Sequence, residues 1–214
     1  MPAAFDAVTF AVFAALGLLS ATALAVTLYK AIQFARLGLG RRRAAEAILA
    51  DWTSGQRDRA LAAAAGGRGV IERVLHATFA ARLRNPHDPA ASEELGRQAA
   101  LAEMARLGAS MRLIEGVVQA APMLGLLGTV IGMIEAFGTL AAAGGAADPA
   151  LLAEGIWTAL TTTAVGLSIA LVFYFVSLWL EGRIEAERQG MELAISVAVH
   201  GARAAPGDRA APLR

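Results

Sequence analysis

The sequence predicts an all-α membrane protein with three transmembrane helices, the second and third forming a long antiparallel hairpin that extends into the cytoplasm. Three observations carry this. First, three apolar runs, Val8–Tyr29, Gly116–Ala143 and Ile156–Leu180, each exceed the ~20 residues with which a helix crosses a ~30 Å hydrocarbon layer. Second, of 214 residues 57% are hydrophobic and 17% charged, with mean hydropathy +0.54. A soluble domain is nearer ~45–50% apolar and ~25% charged. Third, all 19 lysines and arginines lie in just two segments.

The same composition excludes several classes. The net charge of +1 gives no basic field for nucleic acid. With no cysteine there are no disulfides, thiolate metal sites or cysteine nucleophiles. The three histidines, His76, His87 and His200, have no metalloprotease spacing, lie outside the apolar runs and are read as solvent-facing.

The first run carries no internal charge and forms an anchor helix over residues 1–30. Ala21-Thr22-Ala23 has the look of a cleavage site, but the positive charges follow the run instead of preceding it, so it is expected to be a retained anchor. Fourteen basic residues, from Lys30 through Arg41-Arg42-Arg43 to Arg112, fill the segment after it, and the other five follow Leu180. By the positive-inside rule the N-terminus faces the periplasm, and residues 31–112 and the 182–214 tail face the cytoplasm.

The 31–112 segment is rich in Ala, Arg, Glu and Leu and should be helical, with breaks at Gly55, Gly66-Gly67 and Asn85-Pro86. Asp88-Pro89 reads as an N-cap with proline at the first helical position. One helix is expected from Pro89 to about Ala143, passing through Pro122. Gly144-Gly145 should stop it, Asp148-Pro149 should start the next, and that one has no strong breaker before Gly201 and Pro206. The hairpin within the membrane is then 113–181.

Counting from the turn sets a register. Thr129 and Thr163 fall at about the same depth, roughly 21 to 23 Å from it by helical rise. Glu135 and Thr158 share a shallower level, and Arg112 falls opposite Glu181 as an interfacial ion pair. Gly125, Gly128, Gly132 and Gly166 have the spacing of a close-packing seam. Thr158 and Thr162 share a face, flanked by Thr161 and Thr163; such residues serve either packing or a polar conduit. Glu135 either snorkels to the interface, being only a few turns from the outer end, or favours the conduit, because an ionised group near the bilayer centre costs roughly 2.5–3.5 kcal/mol and usually faces a bundle interior or water.

Ala121-Pro-Met-Leu-Gly-Leu-Leu-Gly-Thr-Val-Ile-Gly-Met-Ile-Glu-Ala-Phe137 resembles the second-helix signature of the MotA/TolQ/ExbB proton-channel family. Gly155-Ile-Trp-Thr-Ala-Leu-Thr-Thr-Thr-Ala-Val-Gly-Leu-Ser-Ile-Ala170 resembles its third-helix signature. Three spans with a large loop after the first are similar to the ExbB/TolQ branch. The resemblance implies a homo-oligomer, a pentamer, around a single-span ExbD/TolR-type subunit whose aspartate exchanges protons. It further implies a periplasm-spanning partner of TonB or TolA type, and no cofactor. The family's pore-lining threonines map onto Thr129 and Thr163, with Thr162, Glu135 and Thr158 beside them as ion-pathway candidates.

Two departures stand out. Many ExbB/TolQ members carry a glutamate where this chain has Thr158, and Ile169-Ala170-Leu171-Val172 lacks their proline. Glu135, at the level of Thr158, is expected to supply the acidic function instead. The competing class is a non-conducting membrane scaffold or sensor with a cytoplasmic helical interaction domain. No metal, catalytic Ser/His or paired intramembrane aspartate motif points to an enzyme.

Overall fold

The structure, a computed structural model, describes residues 2–40, 42–142 and 149–201. Among these the chain is all helical: α1 (Pro2–Leu37), α2 (Arg42–Thr53), α3 (Arg57–Gly66), α4 (Val70–Arg84), α5 (Pro89–Gly108), α6 (Met111–Ala142) and α7 (Pro149–His200). Three helices, α1, α6 and α7, are long and apolar enough to cross a membrane. The Gly144-Gly145 stop, the Asp148 cap, Pro206 and the arginines at 41, 203, 209 and 214 lie outside the described residues.

Local chemistry explains most boundaries. Gly55 ends the α2 turn at φ +90° and Gly201 ends α7 at φ +78°, a backbone region that only glycine enters without strain. The Asp88 carboxylate accepts the Ala91 N–H at 2.9 Å, with Pro89 at the first helical position. At α4, Glu72 reaches back to the Gly69 N–H at 2.7 Å. Pro122 is absorbed inside α6, as membrane helices allow.

Two boundaries differ from the sequence expectation. The helix expected from Pro89 to Ala143 is two helices, divided at Ala109-Ser110, with Ser110 at φ +69°. Gly108 weakens the helix there, and the serine adopts a left-handed turn. A further break separates α1 from α2, where Gly38 and Gly40 take φ +62° and +86°.

The chain divides into two compact units. The first comprises residues 1–29 and 110–179. In it Val12 and Leu16 of α1 pack against Ala121 of α6 and Ala170 of α7, with Leu124, Val165 and Ile169 around them. Its outside is apolar: Leu18, Met123 and Trp157 are each at least 70% exposed, as suits a lipid-facing surface.

The second unit comprises residues 30–109 and 180–214. Its core holds Val74, Leu75, Phe79, Leu107 and Met191, all fully buried. Trp52 stacks on Phe79 at 3.9 Å between ring centroids, and its indole N–H donates to the Ala198 carbonyl at 2.9 Å. Buried Glu187 accepts the Gly40 N–H at 2.6 Å, which pins the α1–α2 turn. Buried Glu103 is held by Arg73 at 2.6 Å and Arg106 at 3.1 Å. Lys30 is fully buried, and its Nζ donates to the Leu107 carbonyl at 2.8 Å and to Gln33 Oε1 at 3.0 Å.

Candidate functional site

Within the first unit, α6 and α7 meet along a seam of small residues. A Cβ added at Gly132 would lie 2.8 Å from Ala159 Cβ, one at Gly125 2.9 Å from Thr163 Cα, and one at Gly166 2.5 Å from the Ala121 carbonyl oxygen. One at Gly128 would strike Thr162. Partner numbers fall on α7 as they rise on α6, so the two helices run antiparallel here. Glycines at spacings of three and four let the backbones approach closely enough for carbonyls of one helix to meet hydroxyls of the other.

They do so at Gly125. Its carbonyl accepts from Thr163 Oγ1 at 2.8 Å and from Thr162 Oγ1 at 3.2 Å. Thr162 is 1% exposed and also donates to its own helix at the Ala159 carbonyl, 2.7 Å away. Thr163 is half-buried. Thr129, also half-buried, donates to the Leu126 carbonyl of its own helix at 2.6 Å. It lies in a shallow apolar groove with Val130, Met133, Ile134 and Phe137. Thr129 and Thr163 are thus served by different carbonyls.

A second concavity lies on the other side of α6. It is a cleft of about 610 Å³ between α1, α6 and α7. Glu135 and Thr139 of α6, Glu154, Thr158 and Thr162 of α7, and Thr9, Phe10 and Phe13 of α1 line it, with Gly128 and Gly132 in its wall. Glu135 and Thr158, counted to the same level in the sequence, therefore share one space. Arg112, in the first unit, and Glu181, in the second, are each exposed.

A model of the MotA/TolQ/ExbB proton channel family matches residues 67–193. The match covers more than half of the 214 residues, and it takes in the whole α6–α7 seam. The chain belongs to the MotA/TolQ/ExbB proton channel family. With its three apolar helices it is a multi-pass membrane protein of that family.

Individual relatives in the ExbB group agree. The chain is 34% identical over 137 residues to biopolymer transport protein exbB1 of Vibrio cholerae, which is 54% of this chain and 57% of that protein. It is 40% identical over 93 residues to an ExbB homolog of Methanothermobacter thermautotrophicus, 44% of this chain and 32% of that protein. It is 44% identical over 71 residues to an ExbB-like protein of Synechocystis, 32% of this chain and 28% of that protein. The chain thus spans between about a quarter and three-fifths of these relatives' lengths.

Sequence reasoning passed over Glu154 and the α1 residues of the cleft. Glu154 sits just outside the third apolar run, so it is not among the charges within the runs. The signal was present: Glu154, Thr158 and Thr162 follow one another at i, i+4, a single polar stripe on one helix face. Nothing in the pattern of α1 marks Thr9, Phe10 and Phe13 as cleft residues, because its apolar run from Val8 to Tyr29 carries no charge on any face.

Proposed function

We propose that this chain is the proton-channel subunit of an inner-membrane complex that couples the proton motive force to work in the periplasm or at the outer membrane. The work is biopolymer transport, import or envelope maintenance. The observation that carries the reading is the family match across α6 and α7, with Thr129 and Thr163 at the threonine positions of the two helix signatures. The names of the ExbB relatives support the transport role.

In this reading several copies, a pentamer, surround a single-span ExbD/TolR-type subunit, and a TonB/TolA-type protein carries the work onward. The N-terminus is periplasmic and the C-terminus cytoplasmic, as the segregation of arginines supports. Hydroxyls suit such a lumen because they donate and accept hydrogen bonds without charge. They hold water beside a partner carboxylate without fixing its protonation state. Each proton crossing 100 mV releases about 2.3 kcal/mol, so useful work draws on several.

The test is reconstitution of the full chain with its co-purifying single-span partner in liposomes carrying a pH-sensitive dye. Proton flux on imposing a membrane potential, lost in Thr129→Val, is the expected result. An assembled complex that carries no flux overturns the proposal.

A further inference from the structure

We infer that the cleft between α1, α6 and α7 is a water-filled vestibule inside the single subunit, by which ions from the outer side reach the middle of the membrane, with Glu154 at its mouth and Thr158 on its inner wall. The inference rests on the channel reading above and adds a route to it. Ions enter through each subunit's own body, on the side of α6 away from Thr129.

The first argument is the state of the threonine hydroxyls. Among the described residues, Thr22, Thr27, Thr53, Thr78, Thr129, Thr139, Thr161, Thr162 and Thr163 all donate to a backbone carbonyl. Thr9 and Thr158 are the two that have no such bond, and both line the cleft. No buried side-chain polar atom among the described residues lacks a partner, so these two hydroxyls open onto accessible space. Back-bonding to the helix is available to any threonine, and lipid offers a hydroxyl nothing in its place. Two hydroxyls from two helices left open toward one space mark that space as wet.

The second argument is size and depth. A cleft of about 610 Å³ has room for a chain of waters, each occupying about 30 Å³ in the liquid. By helical rise Glu154 lies about 8 Å from the start of α7 at Pro149, Thr158 about 14 Å and Thr162 about 20 Å. The polar stripe therefore leads from the outer end of the helix to the seam where Thr162 and Thr163 meet Gly125.

The charge of the lining sets selectivity. Glu154 lines the cleft, and among the described lining residues there is no arginine or lysine. The vestibule therefore concentrates cations and repels anions.

The sequence has no cysteine, so single cysteines can be labelled in the full chain without background. Thr158→Cys, Thr9→Cys and the outward-facing control Leu160→Cys are made, and membrane vesicles are treated from the outer side with an impermeant methanethiosulfonate. The thiolate, which forms only in water, attacks the alkylthio sulfur of the reagent to give a mixed disulfide and expels methanesulfinate, so Thr158→Cys and Thr9→Cys should react about tenfold or more faster than Leu160→Cys. A cationic reagent should outpace an anionic one at Thr158→Cys, and Glu154→Gln in that background should shrink the preference several-fold. Thr158→Cys and Thr9→Cys both as slow as Leu160→Cys would overturn the vestibule. The channel reading survives that result if Thr129→Val still abolishes flux. Fast labelling in a complex that carries no ions would sink the channel reading and the ion route with it, and leave only a water-filled cleft.

Discussion

The Thr163 hydroxyl of α7 donates to the Gly125 carbonyl of α6 across 2.8 Å, so a candidate pore residue is also a clasp between the two helices. Thr129, its counterpart in the other signature, clasps nothing outside its own helix. The two positions should therefore respond differently to the same change.

Thr163→Val removes a donor from the seam and should lower stability by about 1 kcal/mol, the net worth of a typical hydrogen bond. Thr129→Val removes only a local back-bond and should change stability by no more than ~0.5 kcal/mol. Thermal unfolding of the purified complex in detergent measures both. On the channel reading both lose energised proton flux, and Thr129→Val loses it with the assembly intact. Wild-type flux in the double valine variant would remove both hydroxyls from the pathway.

The glycines separate into those with a neighbour and those without. A Cβ at Gly166 meets the Ala121 carbonyl, a backbone group that cannot swing aside, whereas a Cβ at Gly116 meets nothing within 4 Å. Gly166→Ala should cost about 1–3 kcal/mol through overpacking. Gly116→Ala, in the same membrane unit, should be neutral or stabilise by up to ~1 kcal/mol through helix propensity. Equal melting temperatures for the two variants would mean that α6 and α7 do not approach each other as closely as these distances require.

Much of this was legible because membrane helices leave few choices. Apolar length identified α1, α6 and α7, and glycine spacing identified the seam, since only small residues let helices meet without a hydrophobic driving force. Asp88-Pro89 and Gly201 were readable as caps because their chemistry is local. The break at Ala109-Ser110 was not, because a non-glycine residue in the left-handed region follows from its surroundings and not from propensity. Which face of the α6–α7 pair meets α1 was also hidden. The weak amphipathicity of an all-apolar helix gives periodicity nothing to report.

Lys30 illustrates a contact that no sequence pattern announces. It is the only lysine in the chain, it is fully buried, and it caps the last turn of α5 at the Leu107 carbonyl. The final carbonyls of a helix have no intrahelical partner, and a cation there also meets the favourable end of the dipole. Lys30→Met keeps most of the volume and orphans the carbonyl, for a cost of about 1–3 kcal/mol. Amide exchange in the last turn of α5 should speed up by roughly tenfold or more, since 1.4 kcal/mol is a factor of ten. Unchanged exchange there would mean that water or another group caps the helix equally well.

Glu103 gives a sharper test of how a buried charge is held. Its side chain is only 9% exposed and takes Arg73 at 2.6 Å and Arg106 at 3.1 Å, but the Arg106 side chain is 72% exposed and that of Arg73 is 35% exposed. Solvent screens the Arg106 pair, so Arg106→Met should cost less than ~1 kcal/mol. Arg73→Met strips Glu103 of its closer, two-point partner and leaves the carboxylate with one screened cation. Removing one partner of a buried pair costs about 3–5 kcal/mol, and the remaining arginine should keep the loss at the low end. Replacing both members relieves the stranded charge, so Arg73→Met with Glu103→Met should be more stable than Arg73→Met alone. Thermal unfolding of the three variants in one detergent decides the matter. A double variant less stable than Arg73→Met would show that Glu103 is not stranded, with Arg106 moving inward to neutralise it.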